Sequence, residues 1–459
     1  MKFILSSNKI LYSILACSIL LLVSILFFLE FGILERVLLP FSISLFIALG
    51  IYCILNISCK DKFCSKIYLI SVLMHFVFIL FWQIFKYYML GYHLPTENVF
   101  KAFIVDNDGG LYHLLGVYIS KHYTLATLME KYTGGLFPKI VGTVYYVFGI
   151  NPFLVSCLNA ILSGFTAIIL FLIGKCVLQN RDYAKAFSFL SILNFAHIIN
   201  TSTMIRDNYI VLFIYLSIYL SYRFYNKKNI LNLLLTLFSL CMLYYFRPYA
   251  AIIILLAIIV TFVFVNLKIK ANNNRLKANR LSLLLILSSP LIVAIFIFIL
   301  IKFSELFKVL SVEDLIAIRD VAYVGGDSDV GLDFSSLYSV CFILPFLIGT
   351  ICMFFAPFPW EWIYPRRMIY VPDMLILYCF LPSFFSNIKK VLVERNYLLV
   401  VSLFSIIFMF SIYCITLGNT GAIHRLRGPF IPMIYLIAFY NPRPILNRIL
   451  CKIKKLEVI

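Results

Sequence analysis

Acidic residues are scarce in this chain, and charge of either sign is sparse. The 459 residues include 20 Asp and Glu against 39 Lys and Arg, and charged residues make up 13% of the total. A water-soluble domain carries about 25% charged residues, and 63% of this chain is hydrophobic. The composition therefore excludes an ordinary soluble domain and indicates a protein of the lipid bilayer.

Three further patterns are missing. No ten-residue segments of alternating hydrophobicity occur, which argues against strands that span a membrane. The 12 cysteines include no CxxC pair and no His/Cys cluster, so neither a redox pair nor a zinc site is predicted. The basic residues lie in short loops between apolar runs, where the positive-inside rule explains them without nucleic acid as a partner.

Long apolar runs dominate the chain instead. Runs of roughly 17 to 25 residues cross a bilayer as α-helices, and such runs lie at about 9–30, 33–56, 67–90, 152–178, 186–203, 208–225, 229–246, 249–267, 281–302, 368–387, 396–417 and 429–441. The sequence therefore predicts an all-α fold, a polytopic transmembrane helical bundle of about 12 spans. Two shorter segments, 135–150 and 338–358, contain Gly or Pro and are predicted as interfacial or re-entrant elements at the outer face.

The loop charges predict the topology of a multi-pass integral membrane protein. Placing the basic loops in the cytoplasm puts both termini there as well, and the Lys, Asn, Ile and Phe usage favours a bacterial plasma membrane. The predicted organisation is two N-terminal transmembrane helices, a helical core with three outer loops, and a basic cytoplasmic tail. The helices occupy 1–66, the core 67–440, its outer loops 91–151, 303–337 and 357–367, and the tail 441–459.

An acidic loop outside the membrane is the first candidate for chemistry. Asp106 and Asp108 lie in the sequence DNDGGLYH, followed by Tyr112 and His113. One carboxylate can act as a general base, and the other can hold a divalent cation or orient an acceptor. The alternative is a simple turn, since Asp, Asn and Gly are the favoured turn formers.

Arginines at outer helix ends are the second candidate. Arginine binds phosphate bidentately, and we expect two of these arginines to stand at the start of the last helix, where the helix dipole also favours an anion. The alternative for each is a side chain that reaches the lipid headgroups. The set comprises Arg206 beside Asp207, Arg247 near Tyr249, and Arg425 and Arg427 after His424.

Two more outer loops carry polar or aromatic residues. Trp360 and Glu361 lie in PFPWEW, which predicts either an aromatic lining for a prenyl chain or sugar ring, or the ordinary aromatic belt of a membrane interface. The loop 303–337 contains SELFKVLSVEDLIAIRD, whose helical spacing predicts an amphipathic lid.

Several of these segments together resemble the GT-C superfamily, membrane glycosyltransferases that use a polyprenyl-phosphate sugar. The similar stretches are Asp108-x3-Tyr112, the passage FPKIVGTVYYVFGINPF, the charged pair in TSTMIRDNYIVLFI, and HRLRGPFIPMIYLI, spaced over about 95–440. Two features depart from the family pattern. The acidic loop follows the third apolar run rather than the first, and no large soluble domain follows the helices.

The resemblance implies inverting transfer of a sugar from a polyprenyl-phosphate donor at the outer face to a glycan, lipid or protein acceptor. Asp106 or Asp108 would be the general base, and the four arginines would hold the donor phosphate. Tyr112, His113, Asp207, Tyr249, Trp360, Glu361 and His424 would contact substrate. Metal dependence varies in the family, so Mg²⁺ or Mn²⁺ on Asp106 and Asp108 stays open.

Two other classes of protein compete with this interpretation. A Wzy-type polysaccharide polymerase or an O-antigen ligase also has outer-loop arginines, which bind a polyprenyl-pyrophosphate donor. A lipid-linked oligosaccharide flippase or transporter would place charged residues in mid-helix along a central path. The centres of the apolar runs are nearly free of charge, which argues against the transporter.

Overall fold

A computed structural model describes residues 32–90, 107–124, 127, 135–178, 180–266, 343–359, 370–416 and 420–442. Over these residues the chain is all-helical, in agreement with the predicted fold class. The apolar runs at 9–30 and 281–302, the loop 303–337, most of the loop 357–367 and the tail from 443 lie outside the described residues. Asp106, Trp360 and Glu361 lie outside them as well.

The described helices follow the apolar runs closely. In chain order they are α1 Gly32–Ser58, α2 Phe63–Leu90, α3 Asn107–Lys121, α4 Leu136–Phe148, α5 Pro152–Val177, α6 Arg181–Ile192, α7 Phe195–Ser202, α8 Asp207–Lys227, α9 Ile230–Phe246, α10 Pro248–Asn266, α11 Ile343–Phe355, α12 Val371–Glu394, α13 Tyr397–Thr416, α14 Thr420–Arg427, the 3₁₀ turn Gly428–Phe430, and α15 Ile431–Tyr440.

Five helices in the described part of the chain are long and apolar enough to cross a membrane. The spans are Leu39–Ser58 in α1, Phe63–Phe81 in α2, Pro152–Val177 in α5, Pro248–Asn266 in α10 and Val371–Glu394 in α12. They support a membrane protein. The total of about 12 spans remains a prediction.

The chain does not form one continuous helix over the predicted run 186–203. The chain forms two short helices there, α6 and α7, with a break at Leu193 and Asn194. The Asn194 side chain accepts a hydrogen bond from the His197 backbone N–H at 2.9 Å, which caps the start of α7 and ends the preceding helix. The Phe195 N–H donates to Asp373 of α12 at 2.7 Å, so a carboxylate stabilises the same helix start.

Helices α4 and α11 replace the two segments that we predicted not to cross. Helix α4 has 13 residues, and a helix of that length extends about 20 Å, less than the roughly 30 Å hydrocarbon core of a bilayer. The length of α4 therefore agrees with an element that does not span. Their position relative to a membrane remains a prediction.

The contacts divide the chain into two compact units. The first unit comprises 1–169 and 198–213, and the second comprises 170–197 and 214–459. In the first unit, α1, α2 and α5 share a buried core, and α3 packs on α4. In the second unit, α12 packs on α15, and α13 packs on α10 and α11. The predicted boundaries near 66 and 440 remain predictions.

Candidate functional site

In the first unit, α3 carries three of the predicted site residues. Asp108 lies in the first turn of α3 and is half-buried, whereas Tyr112 and His113 are buried one turn later. Gly109 and Gly110 belong to the helix, so residues 107–110 are helical and do not form the simple turn that was the alternative. The helix fixes where Asp108 stands relative to the two buried rings.

A buried hydrogen-bond chain links α3 to the segment before α8. His113 Nδ1 lies 2.9 Å from the Tyr145 hydroxyl of α4, and that hydroxyl donates to the sulfur of Met204 at 3.3 Å. Because the hydroxyl proton points to sulfur, we assign the imidazole proton to Nδ1, which donates to the tyrosine oxygen. Burial lowers the pKa of His113 below its ordinary value, so the ring is neutral at pH 7.

Aromatic contacts follow the same route from α3 to α8. The Tyr112 ring meets Phe137 of α4 edge to face at 5.0 Å between centroids, and Phe137 meets Tyr209 of α8 at 5.6 Å. Edge-to-face pairs at this spacing are favourable beyond the area that they bury. Helix α4 therefore connects the start of α3 to the start of α8 through two sets of contacts. One set is the hydrogen-bond chain, and the other is the series of aromatic rings.

Arg206 stands at the start of α8. Its carbonyl accepts hydrogen bonds from the backbone N–H groups of Tyr209 and Ile210, which makes it the N-cap residue. Asn159 of α5 fixes the preceding turn, because its amide donates to the carbonyls of Thr203 at 2.8 Å and Ile205 at 3.2 Å. Arg206 is half-buried. It stands at a helix N-terminus, a position that favours an anion.

The first unit thus contains five of the predicted site residues. Asp108, Tyr112, His113, Arg206 and the buried Asp207 belong to it. Reasoning from the sequence missed Tyr145 and Asn159, which lie in apolar stretches, and Met204, which lies in the polar segment TSTMIRDN. All three gain their role through tertiary contacts.

In the second unit, Arg247 and Tyr249 flank the junction of α9 and α10. Arg247 ends α9, is 5% exposed, and its guanidinium carbon lies 5.8 Å from the centre of the Tyr249 ring. Tyr249 meets Tyr413 of α13 edge to face at 6.2 Å. The two predicted residues are therefore neighbours, as their spacing in the sequence requires.

His424, Arg425 and Arg427 occupy the last turn of α14. We expected the arginines at the start of the last helix, and this expectation is wrong, because the 3₁₀ turn Gly428–Phe430 separates α14 from α15. At the end of a helix the dipole favours the cation itself. The dipole argument for an anion at these two arginines therefore does not hold.

Arg427 is enclosed by protein groups. Its side chain is 1% exposed; Nη1 donates to the carbonyls of Met353 and Ala356 at 3.0 Å each, and Nη2 donates to Met374 sulfur at 2.9 Å and His424 Nδ1 at 2.8 Å. The two carbonyls belong to the C-terminal end of α11, where a cation is favourable. Burial lowers the pKa of Arg427 to about 10, against the opposing charge of Asp373, so it remains cationic.

This arrangement fixes the protonation of His424. Since the guanidinium can only donate, His424 Nδ1 accepts, and the ring proton of the neutral imidazole is on Nε2. The ring also stacks on Tyr370 at 4.2 Å with an angle of 11° between the planes. His424 is thus a buried imidazole with a defined tautomer and orientation. Arg425 beside it is half-buried.

Asp373 is a site residue that reasoning from the sequence missed. It is 2% exposed in the first turn of α12, holds the N-terminus of α7 and raises the pKa of Arg427 by its charge. The signal was present in the sequence, because Asp373 is the lone acidic residue of the apolar run 368–387. Ionisable residues in such runs are rare and mark structural or functional polar centres.

Among the described residues, no group of three or more His, Cys, Asp or Glu side chains is placed to hold a metal ion. Asp108 is one candidate ligand, and Asp106 lies outside those residues, so the Mg²⁺ or Mn²⁺ site remains a prediction. Comparison with protein-family models, with curated proteins and with solved structures finds no match to this chain.

Proposed function

We propose that this protein is a membrane-embedded glycosyltransferase that uses a polyprenyl-phosphate sugar donor. Donor and acceptor meet at the outer face of a bacterial plasma membrane, both termini are cytoplasmic, and the acceptor is a glycan, a lipid or a protein. The resemblance of the sequence to GT-C enzymes supplies this reaction, and the geometry of the first unit supports it.

One observation carries the proposal. The carboxylate of Asp108 and the guanidinium of Arg206 each project from the start of a helix, α3 and α8, within one compact unit. The chain from His113 through Tyr145 to Met204 joins those two helix starts through hydrogen bonds of 2.9 Å and 3.3 Å. Sugar transfer from a phosphate needs a base and a phosphate-binding cation on one rigid frame, since misplacement reduces the rate steeply.

The reaction assigns a role to each group. Asp108 or Asp106 takes the proton of the acceptor hydroxyl, whose oxygen attacks the anomeric carbon. The bond from that carbon to the phosphate oxygen breaks, polyprenyl phosphate leaves with the electron pair, and the configuration inverts. Arg206 stabilises the charge that grows on the leaving oxygen. The sequence resemblance assigns Arg247 and Arg425 to the donor phosphate as well.

Arg427 has a different role in this proposal. Its terminal nitrogens donate to four protein acceptors, so we assign it to holding His424, which contacts the substrate. Tyr112, His113, Asp207, Tyr249, Trp360 and Glu361 complete the substrate contacts. A divalent cation on Asp106 and Asp108 would help to orient the acceptor.

The test is a donor-cleavage assay. Purified protein in detergent is supplied with labelled polyprenyl-phosphate sugars and an acceptor extract, and release of polyprenyl phosphate is measured. We expect Asp108→Asn or Asp106→Asn to reduce the rate by about a hundredfold or more, because the general base is lost. The matched control is Asp182→Asn, a similar change in the first turn of α6, where Asp182 pairs with Lys185 at 3.3 Å.

Two results would contradict the proposal. The first is full activity in both Asp variants. The second is turnover of a pyrophosphate-linked oligosaccharide, with no release from any monophosphate donor, which would favour the polymerase or ligase. Transport of a lipid-linked oligosaccharide without cleavage would favour the flippase.

A further inference from the structure

Two basic residues of the second unit have an unusual backbone. Lys228 has φ 51° and Arg395 has φ 54°, and in the described part of the chain they are the non-glycine residues with positive φ. Each follows a helix directly, and its N–H donates to a carbonyl of the last turn, Phe224 for Lys228 and Val391 for Arg395. Glycine is the residue that this position favours. A long cation at both places therefore indicates that the side chains have a role.

Both side chains lie over aromatic rings at one end of α10. Lys228 Nζ is 4.8 Å from the Tyr225 ring centre, 5.1 Å from Phe262 and 5.8 Å from Phe224. Arg395 Cζ is 5.0 Å from the centre of Phe264. These distances are within cation–π range, so the aromatic rings hold both cations in place.

The rings under Lys228 reach the helix that follows Arg395. Tyr225 meets Phe262 edge to face at 6.0 Å and stacks on Tyr397 at 4.9 Å with 22° between the planes. Tyr397 begins α13 two residues after Arg395, and Phe264 under Arg395 follows Phe262 by two residues in α10. Lys228 and Arg395 therefore stand over aromatic rings at the same end of α10. We call this group the basic–aromatic collar, and it comprises Lys228, Arg395, Tyr225, Phe262, Phe264 and Tyr397.

The charge around the collar favours an anionic partner. Lys228 is exposed. The sequence 267–280 that follows α10 carries five basic residues and no acidic residue. Aromatic rings with Lys and Arg at one end of a membrane-crossing helix are typical of the headgroup level of a bilayer, where anionic lipids attract such residues.

We propose that the basic–aromatic collar binds the phosphate headgroup of an anionic phospholipid. The ammonium of Lys228 and the guanidinium of Arg395 face the phosphate, and the rings of Tyr225 and Phe262 contact the glycerol and the first acyl carbons. The proposal does not depend on the glycosyltransferase function. The collar belongs to the second compact unit, whereas Asp108 and Arg206 belong to the first.

The test uses Lys228→Gly and Arg395→Gly, alone and together. Glycine adopts positive φ without strain, so these variants remove the cations while favouring the native backbone. Purified full-length protein in nanodiscs of phosphatidylcholine is compared with the same protein in mixtures containing phosphatidylglycerol of equal chain length. We expect phosphatidylglycerol to raise the Tm of the wild type and the double variant to lose most of that rise. In phosphatidylcholine alone, the double variant should be as stable as the wild type.

The matched control is Lys227→Ala with Lys389→Ala, exposed lysines near the ends of α8 and α12. It removes the same total charge, and we expect it to keep most of the rise. The rise should also shrink from about 0.1 M to about 1 M salt, where the Debye length falls from about 10 Å to about 3 Å. Equal Tm in the two lipids for the wild type, or an equal loss in the control, would overturn the proposal.

Discussion

His113 is a buried histidine whose neutral ring the structure favours. Because the pKa of His113 is lowered in the folded protein, the unfolded chain takes up this proton at a higher pH than the folded chain does. The stability that the neutral ring contributes is therefore complete above about pH 6.5, the ordinary value for histidine, and is lost as the pH falls below it. We expect the Tm of the wild type to decrease from pH 7 into this range and His113→Gln to show a smaller decrease.

His122→Gln is the control for that measurement, because His122 follows the same helix but is exposed. A His113→Gln profile parallel to that of the wild type would show that the ring does not titrate in the way that its burial implies.

Asp373 balances a buried cation and caps a helix, so its replacements separate the two roles. Asp373→Asn keeps an oxygen for the Phe195 N–H but removes the negative charge that raises the pKa of Arg427. Asp373→Ala loses the hydrogen bond as well, and we expect a loss of about 1–3 kcal/mol in the free energy of unfolding. Asp373→Asn should lie between Asp373→Ala and the wild type.

The measurement is detergent-induced unfolding of the purified variants, with Glu394→Ala as control. Glu394 pairs with Lys390 at 3.7 Å on the surface, and such pairs contribute about 1 kcal/mol or less. Asp373→Asn with Arg427→Gln should cost less than the sum of the two single changes, because they remove one shared interaction. Strict additivity would argue against coupling.

At the scale of residues, the sequence predicts which neighbouring residues form a group better than it predicts their contacts in other helices. Asp108, Tyr112 and His113 were recognised together because they follow one another on a polar stretch, and they do share one helix. The Tyr145 that contacts His113 is 32 positions further along the chain, in an apolar stretch. The Met204 that contacts Tyr145 is 91 positions beyond His113, in the polar segment TSTMIRDN. Hydrophobic periodicity carries no information on which tyrosine of an apolar stretch faces a histidine.

At the scale of elements, α3 and α4 approach each other at two glycines. A Cβ on Gly116 would lie 2.5 Å from Val141 Cγ1, and a Cβ on Gly142 would lie 2.5 Å from Ile119 Cγ2. Gly116→Ala or Gly142→Ala should therefore force the helices apart and cost about 1–3 kcal/mol, as overpacked cores do. The readout is the Tm of the purified variants, with accessibility of Asp108 to carbodiimide as a second measure.

Gly50→Ala in α1 is the matched control, since a Cβ there would meet nothing within 4 Å. Alanine is the better helix former by about 1 kcal/mol, so this variant should be neutral or more stable. Gly116→Ala and Gly142→Ala that behave like Gly50→Ala would contradict close packing of α3 on α4.

Helix existence was easier to predict than helix continuity. The runs 33–56, 152–178 and 396–417 became α1, α5 and α13 with ends within a few residues, because a long apolar run has few other folded states in a bilayer. The run 186–203 broke because Asn194 and Asp373 cap a new helix start. Asp373 lies 178 residues from Phe195 in the chain, so the sequence alone does not indicate this break.

At the scale of the whole molecule, α5 gives the sharpest test of topology. Its 26 residues form a candidate span of about 39 Å, so its two ends should lie on opposite sides of the membrane. In a variant without the natural cysteines, we expect Ile150→Cys to react with an impermeant maleimide added to intact cells. Arg181→Cys should react only after the cells are permeabilised.

Reaction of both cysteines from the outside would show that α5 does not cross. The reverse pattern would show that it crosses in the opposite sense and that the predicted outer loops face the cytoplasm. Either result bears on the proposed reaction, because the face that carries Asp108 decides which leaflet presents the donor.

The guanidinium of Arg427 has one more consequence for the molecule. A guanidinium is planar and rigid, and this one holds the last carbonyls of α11 with Nη1 and the imidazole of His424 with Nη2. The two nitrogens cannot move independently, so a displacement at the end of α11 tilts the ring of His424.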